Sequence, residues 1–159
     1  MEKILIIDFG GQYNQLIARR VRECKVYCEI KPYTTPLDEL KAFDPIGVIF
    51  TGGPNSVYLD TSPHVDPEIF TWGVPILGIC YGCQLIAHAL GGEVTPAQDD
   101  SAREYGKTVT WYDTGCKLFR GLPAEGVSWM SHGDYMAKVP EGFALTARSD
   151  ACPNVAIAD

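Results

Sequence analysis

Residues 74–92 read VPILGICYGCQLIAHALGG. The apolar run Val74–Ile79 has the length and composition of a buried strand, and from Cys80 the pattern becomes that of a helix. A cysteine at such a junction stands at a helix N-terminus, where unpaired N–H groups and the positive end of the dipole favour the thiolate, the species that attacks. Both a redox C-x-x-C pair, Cys80 with Cys83, and a single nucleophile fit that position.

The flanking glycines separate the two uses. Gly78 and Gly82 lie two residues either side of Cys80, so the stretch is G-x-C-x-G, the cysteine counterpart of the nucleophile elbow in which a strained residue is presented on a sharp strand-to-helix turn. The chain doubles back so tightly there that the positions two before and two after favour residues without a Cβ. A redox pair has no such need, and Cys83 is expected to pack as an ordinary small apolar residue. An acyl-type nucleophile also needs donors for its oxyanion. The main-chain N–H of Tyr81 follows the nucleophile directly, and Gly52-Gly53-Pro54, ending the preceding strand, lacks the side chains that would keep a second donor away. Read alone, that GGP merely turns the chain.

Outward from the elbow, KILIIDF (3–9) reads as a strand covered on both faces and stops at Gly10-Gly11. A helix is predicted over Gln12–Cys24, with Leu16, Ile17, the stem of Arg20, Val21 and Cys24 on its inner side. Further strands are predicted at Val26–Ile30 and Gly47–Thr51, a short helix at Leu37–Ala42, and one or two helical turns at Pro67–Trp72. Alternating strands and helices predict an α/β fold, an open and mostly parallel sheet with helices on both faces. Ligands of such sheets bind at the carboxyl ends of the strands, which here carry Asp8–Gly11, Thr51–Pro54 and Gly78–Gly82. After Gly92 come shorter β-leaning pieces (Lys107–Tyr112, Val127–Met130, Ala144–Ala147), read as a mixed extension of the sheet. With no repeat, linker or low-complexity tract, residues 1–159 are expected to form one domain.

The 159 residues are 46% hydrophobic, enough for an independent core. The net charge of −7 comes from 20 acidic and 13 basic residues without a run of either sign, so neither nucleic acid nor an anionic membrane is the expected partner. No segment has membrane-spanning length, and the expected location is the cytoplasm. Six cysteines are read as unbridged thiols rather than a disulfide framework. Cys24 and Cys28 have only loose spacing, and His64, His88 and His132 fall near neither cysteine pair, so no metal site is expected. His88 is expected to pack on the elbow helix and His64 to lie in a loop.

These residues resemble the class I glutamine amidotransferases, whose nucleophilic cysteine sits in a G-x-C-x-G elbow and releases ammonia from glutamine. ILIIDFGGQYNQLIARRVRE, GVIFTGGPNSVY, PILGICYGCQLIAHALGG, REYGK and WMSHGDYMAKVPEGF follow that family in order and spacing, and SHGD with DFGGQY is similar to its GMP-forming branch. The resemblance implies a γ-glutamyl thioester on Cys80, with the N–H groups of Gly53 and Tyr81 as the oxyanion hole. It further implies a glutamine site lined by Gly52, Gln84, Ser131, His132, Gly133 and Asp134. Without it, Gln84 reads as a helix-surface residue and 131–134 as a polar turn.

The domain itself is expected to need no cofactor. The resemblance also implies a synthetase module, in cis or in trans, that would use ATP and Mg²⁺ to aminate xanthosine monophosphate, and a dimerisation domain that would make the full protein a homodimer; neither is expected within residues 1–159. The family's general base is a histidine in an H-P-E motif, oriented by the glutamate, and the sequence contains no H-P-E. On that ground this stretch reads as C-terminally incomplete and as nearly inactive by itself, since general acid–base assistance is worth about 10²–10⁴-fold. Three alternatives stand beside this reading: a thiol redox module using Cys80 and Cys83, the glutaminase subunit of another class I amidotransferase, and a binding subunit without catalysis.

Overall fold

The computed structural model describes residues 1–97 and 103–159. They form two compact units, Met1–Ile86 and Ala87–Asp159.

The first unit is built on four parallel strands, β1 (Lys3–Asp8), β2 (Tyr27–Pro32), β3 (Gly47–Phe50) and β4 (Ile76–Gly78), in the spatial order β2-β1-β3-β4. Leu5, Ile6 and Ile7 have no exposed surface, which explains why β1 reads as a continuous apolar run: it is covered on both faces. Ile6, Ile4 and Ile49 meet Ala18, Ile17 and Val21 of helix α1 (Asn14–Glu23) on one face. Phe50, next to Ile49 and so on the opposite face, packs on Phe9 and Phe70. The start of helix α3 (Tyr81–Ala89) lies on that same opposite side, at the Phe50 backbone. The predicted open parallel sheet with helices on both faces is thus present.

The inner stripe of α1 differs from the predicted one. Asn14, Ile17, Ala18 and Val21, at spacings of three and four, face the sheet, whereas Leu16, Arg20 and Cys24 are exposed. Arg20 instead pairs with Glu23 at 2.8 Å. The helix begins two residues later than predicted because Asp8 organises the turn before it: its carboxylate accepts from the Gly10 amide at 2.7 Å and from the Asn14 side chain. Helix α2 (Leu37–Ala42) has the predicted bounds, with Pro36 as its N-cap. Pro67–Thr71 is a 3₁₀ turn capped by the Asp66 carboxylate, which accepts from the Glu68 amide.

In the second unit β6 (Glu104–Tyr112) pairs antiparallel with β7 (Glu125–His132) and with β9 (Ala144–Ser149), and β10 (Ala156–Ala158) adds to β9. A separate antiparallel pair joins β5 (Glu93–Pro96) to β8 (Asp134–Lys138). The β-leaning half therefore makes two antiparallel sheets of its own instead of adding strands to the parallel one. Its strands alternate exposed and half-buried residues along β7, a period-2 pattern that sequence shows without revealing which strands pair.

Candidate active site

At the carboxyl ends of β1, β3 and β4 three loops converge, and the glycines record how closely. A Cβ on Gly53 would lie 2.5 Å from the carbonyl oxygen of Phe9, and one on Gly11 2.9 Å from the carbonyl carbon of Gly52. A Cβ on Gly52 would sit 3.5 Å from Cys80 Cβ and 3.9 Å from its Sγ. The loop ending β3 thus runs directly past the thiol.

The elbow is realised as predicted. Cys80 has φ +54°, one of three non-glycine residues in the left-handed region among those described, the others being Lys25 and Asp44. Holding such a residue there costs on the order of 1–3 kcal/mol and requires surroundings that impose it. Gly78 and Gly82 supply those surroundings by close approach: a Cβ on Gly78 would come within 2.7 Å of both Cys83 N and Gly82 C, and one on Gly82 within 2.6 Å of Phe50 Cβ. The Gly82 amide donates to Thr51 O (3.1 Å) and Ile79 O (3.0 Å), and the Ile79 amide to Phe50 O (2.9 Å). Regular helix bonding begins with Gln84 N donating to Cys80 O at 3.0 Å, which puts Cys80 at the N-cap of α3.

The predicted site residues are divided between the two units. In the first, Cys80 is exposed with Gly52 half-buried beside it, Gly53 is half-buried next in the chain, Tyr81 is buried, and Gln84 is half-buried one turn along α3. Cys83 is half-buried in the first helical turn, and none of the six cysteines is disulfide-bonded. Ser131, His132, Gly133 and Asp134 belong to the second unit. They are not a free polar turn: Ser131 and His132 end β7 opposite Tyr105 and Glu104, and Asp134 opens β8 opposite Pro96. The junction is held by Ala97 N donating to Gly133 O at 3.0 Å and by a 3.0 Å contact of His132 Nδ1 with Asp134 O. His88, expected to pack on its helix, is exposed, as is His64.

Two residues of the predicted site loops have structural roles at this rim that the sequence did not assign to them. Thr51 is fully buried; its hydroxyl donates to Ile7 O at 2.8 Å and accepts from Phe9 N at 3.4 Å, so one side chain ties the ends of β1 and β3 together. Phe9 is the hub of an aromatic cluster, with ring centroids 6.1 Å from Tyr33, 5.3 Å from Phe50 and 5.5 Å from Tyr81. A threonine between an apolar run and Gly-Gly was the available signal for the first. For the second there was none, because its partners are remote in sequence.

Burial, chiefly, raises the Tyr81 phenol to about 12; the nearby Tyr33 adds to the rise and a hydrogen bond with the Ser62 side chain opposes it. The phenol is thus a permanent donor at working pH, and it donates to Pro63 O.

The sequence model described as "Glutamine amidotransferase class-I" matches residues 5–159. GMP synthase (glutamine-hydrolyzing) of Clostridium perfringens is 58% identical over 154 residues, covering 97% of this chain and 30% of the relative. The protein of the same name from Caldicellulosiruptor saccharolyticus is 58% identical over 151 residues, covering 95% and 29%. The chain therefore spans about 30% of the length of these curated relatives. Among solved structures, a protein from Thermoplasma acidophilum assigned as one subunit of a GMP synthase aligns with a TM-score of 0.86 at 32% identity, over 99% of this chain and 78% of that one. A glutamine amidotransferase from Thermotoga maritima aligns with a TM-score of 0.77 at 22% identity, over 99% and 71%, a likeness of fold.

Proposed function

Because this chain belongs to the class I glutamine amidotransferase family, we propose that it hydrolyses the side-chain amide of glutamine with Cys80 as nucleophile. The observation that carries the reading is the left-handed Cys80 at the N-cap of α3, exposed, with Gly52 against its thiol.

The thiolate of Cys80 adds to the amide carbon, and the carbonyl oxygen takes up the negative charge. The main-chain N–H groups of Gly53 and Tyr81 serve as its donors; donors fixed in advance, in a site poor in water, are worth more than the same groups in bulk solvent. The C–N bond then breaks as the leaving nitrogen takes up a proton, ammonia departs, and a γ-glutamyl thioester remains. Water attacks that thioester, releasing glutamate and returning the thiol. By family resemblance, Gln84 is assigned to face the substrate, and Ser131, His132, Gly133 and Asp134 to the α-amino and α-carboxylate groups of glutamine. The base that handles the protons is assigned by family resemblance to an H-P-E motif, which residues 1–159 do not contain.

The ammonia is passed to an ATP- and Mg²⁺-dependent synthetase module that aminates xanthosine monophosphate to GMP, in a cytoplasmic, homodimeric protein. Support for the amination step comes from the relatives that bear the GMP synthase name at 58% identity; ATP, Mg²⁺ and the homodimer come from the family resemblance alone, and the cytoplasm from the sequence reading. Among the described residues no helix is long and apolar enough to cross a membrane.

A chloroketone analogue of glutamine tests the assignment. Peptide mass spectrometry is expected to find the adduct on Cys80 alone, with L-glutamine protecting, and Cys80→Ser is expected to abolish glutamate release by the intact protein. Labelling spread over the cysteines without protection, or a reversible Cys80–Cys83 disulfide that blocks labelling, would replace the glutaminase reading with the redox one.

A further inference from the structure

Tyr81 has two attachments at the site. Its backbone opens α3 directly after Cys80, and its side chain, 1% exposed, donates its hydroxyl proton to the carbonyl of Pro63. Pro63 lies ten residues beyond Gly53 on the segment that leaves β3. That segment is compact: Leu59 N donates to Ser56 O at 3.2 Å, Ser62 N to Leu59 O at 3.0 Å, the Ser62 hydroxyl also donates to Ser56 O, and Val57 is fully buried. Upstream of Gly53 the chain is tied down by Thr51, whose carbonyl accepts from Gly82 N at 3.1 Å. Gly53 is therefore bracketed by one tie to α3 through Thr51 before it and a second, through Pro63, after it.

We propose that Tyr81 is a positioning residue for both donors of the oxyanion hole: its main-chain N–H is one donor, and its phenol, fastened to Pro63, holds the loop that presents the other, Gly53. The inference rests on the glutaminase reading of the same site. It follows from the geometry because the phenol, which also bonds the Ser62 side chain, is the donor to the Pro63 carbonyl, and removing the buried hydroxyl leaves that carbonyl without it. The ring alone would suffice for packing on Phe9, 5.5 Å away centroid to centroid; the hydroxyl adds a directional tie to one loop. The raised phenol keeps its proton, so this tie does not loosen across the neutral range.

Tyr81→Phe separates tie from packing, measured in the intact natural protein. Complete loss of an oxyanion donor costs about 10²–10³ in kcat, so a donor left present but loosely held is expected to cost about tenfold. KM for glutamine is expected to change less than about twofold, since ground-state binding does not use the hole. Inhibition by L-glutamate γ-semialdehyde, which adds to the thiol and places an oxyanion in the hole, is expected to weaken by about the same tenfold. Alkylation of Cys80 by iodoacetamide, which develops no oxyanion, is expected to keep its rate. An unchanged kcat and aldehyde affinity would overturn the proposal. So would parallel loss of alkylation and hydrolysis, which would make Tyr81 a scaffold for the whole elbow. Should Tyr81→Phe fail to fold, Ser62→Ala removes the side chain that bonds both the phenol and Ser56 O, and the same split on a smaller scale is expected; no change there overturns the proposal. If Cys80→Ser leaves glutamine hydrolysis intact, the glutaminase reading itself fails; if Cys80 is required and Tyr81→Phe matches the wild type, only the positioning role fails.

Discussion

The amide of Gly82 donates to the carbonyl of Thr51 at 3.1 Å, which stitches the turn after Cys80 to the strand end that leads into Gly52 and Gly53. The two loops that would share one oxyanion are thus joined by main-chain bonding before any substrate arrives. The left-handed Cys80 is held between them.

Gly82→Ala is expected to destabilise the protein. The new methyl would lie 2.6 Å from Phe50 Cβ and 2.7 Å from its carbonyl carbon, and neither α3 nor β3 can retreat without breaking the Gly82–Thr51 bond. Overpacking of this kind costs about 1–3 kcal/mol, and the loss is measured as a lower urea midpoint at unchanged slope.

Two adjacent glycines are expected to differ in stability when given a side chain. At Gly52 an added Cβ makes ordinary contact with Cys80, so Gly52→Ala should keep its stability within about 0.5 kcal/mol while slowing alkylation of Cys80 several-fold by standing over the thiol. At Gly53 the same methyl meets the Phe9 carbonyl at 2.5 Å, so Gly53→Ala should lower the thermal midpoint as well. Thermal melts combined with timed iodoacetamide labelling distinguish the two.

Thr51→Val keeps the shape of the side chain and deletes its hydroxyl. The Phe9 amide loses an acceptor and the Ile7 carbonyl loses one of two donors, both at a fully buried residue, for an expected loss of about 1–3 kcal/mol in denaturant unfolding. A smaller loss would mean that the main-chain bond from Thr51 N to Ile7 O at 3.2 Å suffices to hold the junction.

Alkaline titration should show a late-ionising phenol at Tyr81, in addition to Tyr27, whose phenol a hydrogen bond to Glu29 also raises. The folded value of about 12 for Tyr81 lies above the ordinary 10, so the stability it contributes is fully present below pH 10. Between pH 10 and 12 the unfolded chain has released the proton and the folded one has not, so stability falls as pH rises. Absorbance at 295 nm is expected to show a late-ionising phenol that is missing in Tyr81→Phe, whose stability should also decline less steeply over that interval.

Features that depend on near neighbours along the chain were legible in the sequence. The G-x-C-x-G spacing requires two crowded positions around a strained one, and Gly78, Cys80 and Gly82 have that arrangement. The run at Lys3–Asp8 is apolar without alternation because both faces of β1 are covered, and α2 has its predicted bounds because Pro36 stands where a helix can begin and not where one can continue. Features that depend on partners remote in sequence came only with the folded chain. The inner stripe of α1 moved to Asn14, Ile17, Ala18 and Val21 because Ile6 and Cys28 set which side faces the sheet, a choice that Leu16 and Cys24 made ambiguous on apolarity alone. The strands after Gly92 made their own antiparallel sheets because period-2 alternation selects a buried face but not a pairing partner. The tie from Tyr81 to Pro63 spans 18 residues and depends on where the loop after Gly53 returns, and a phenol's hydrogen-bond partner leaves no periodic trace in sequence.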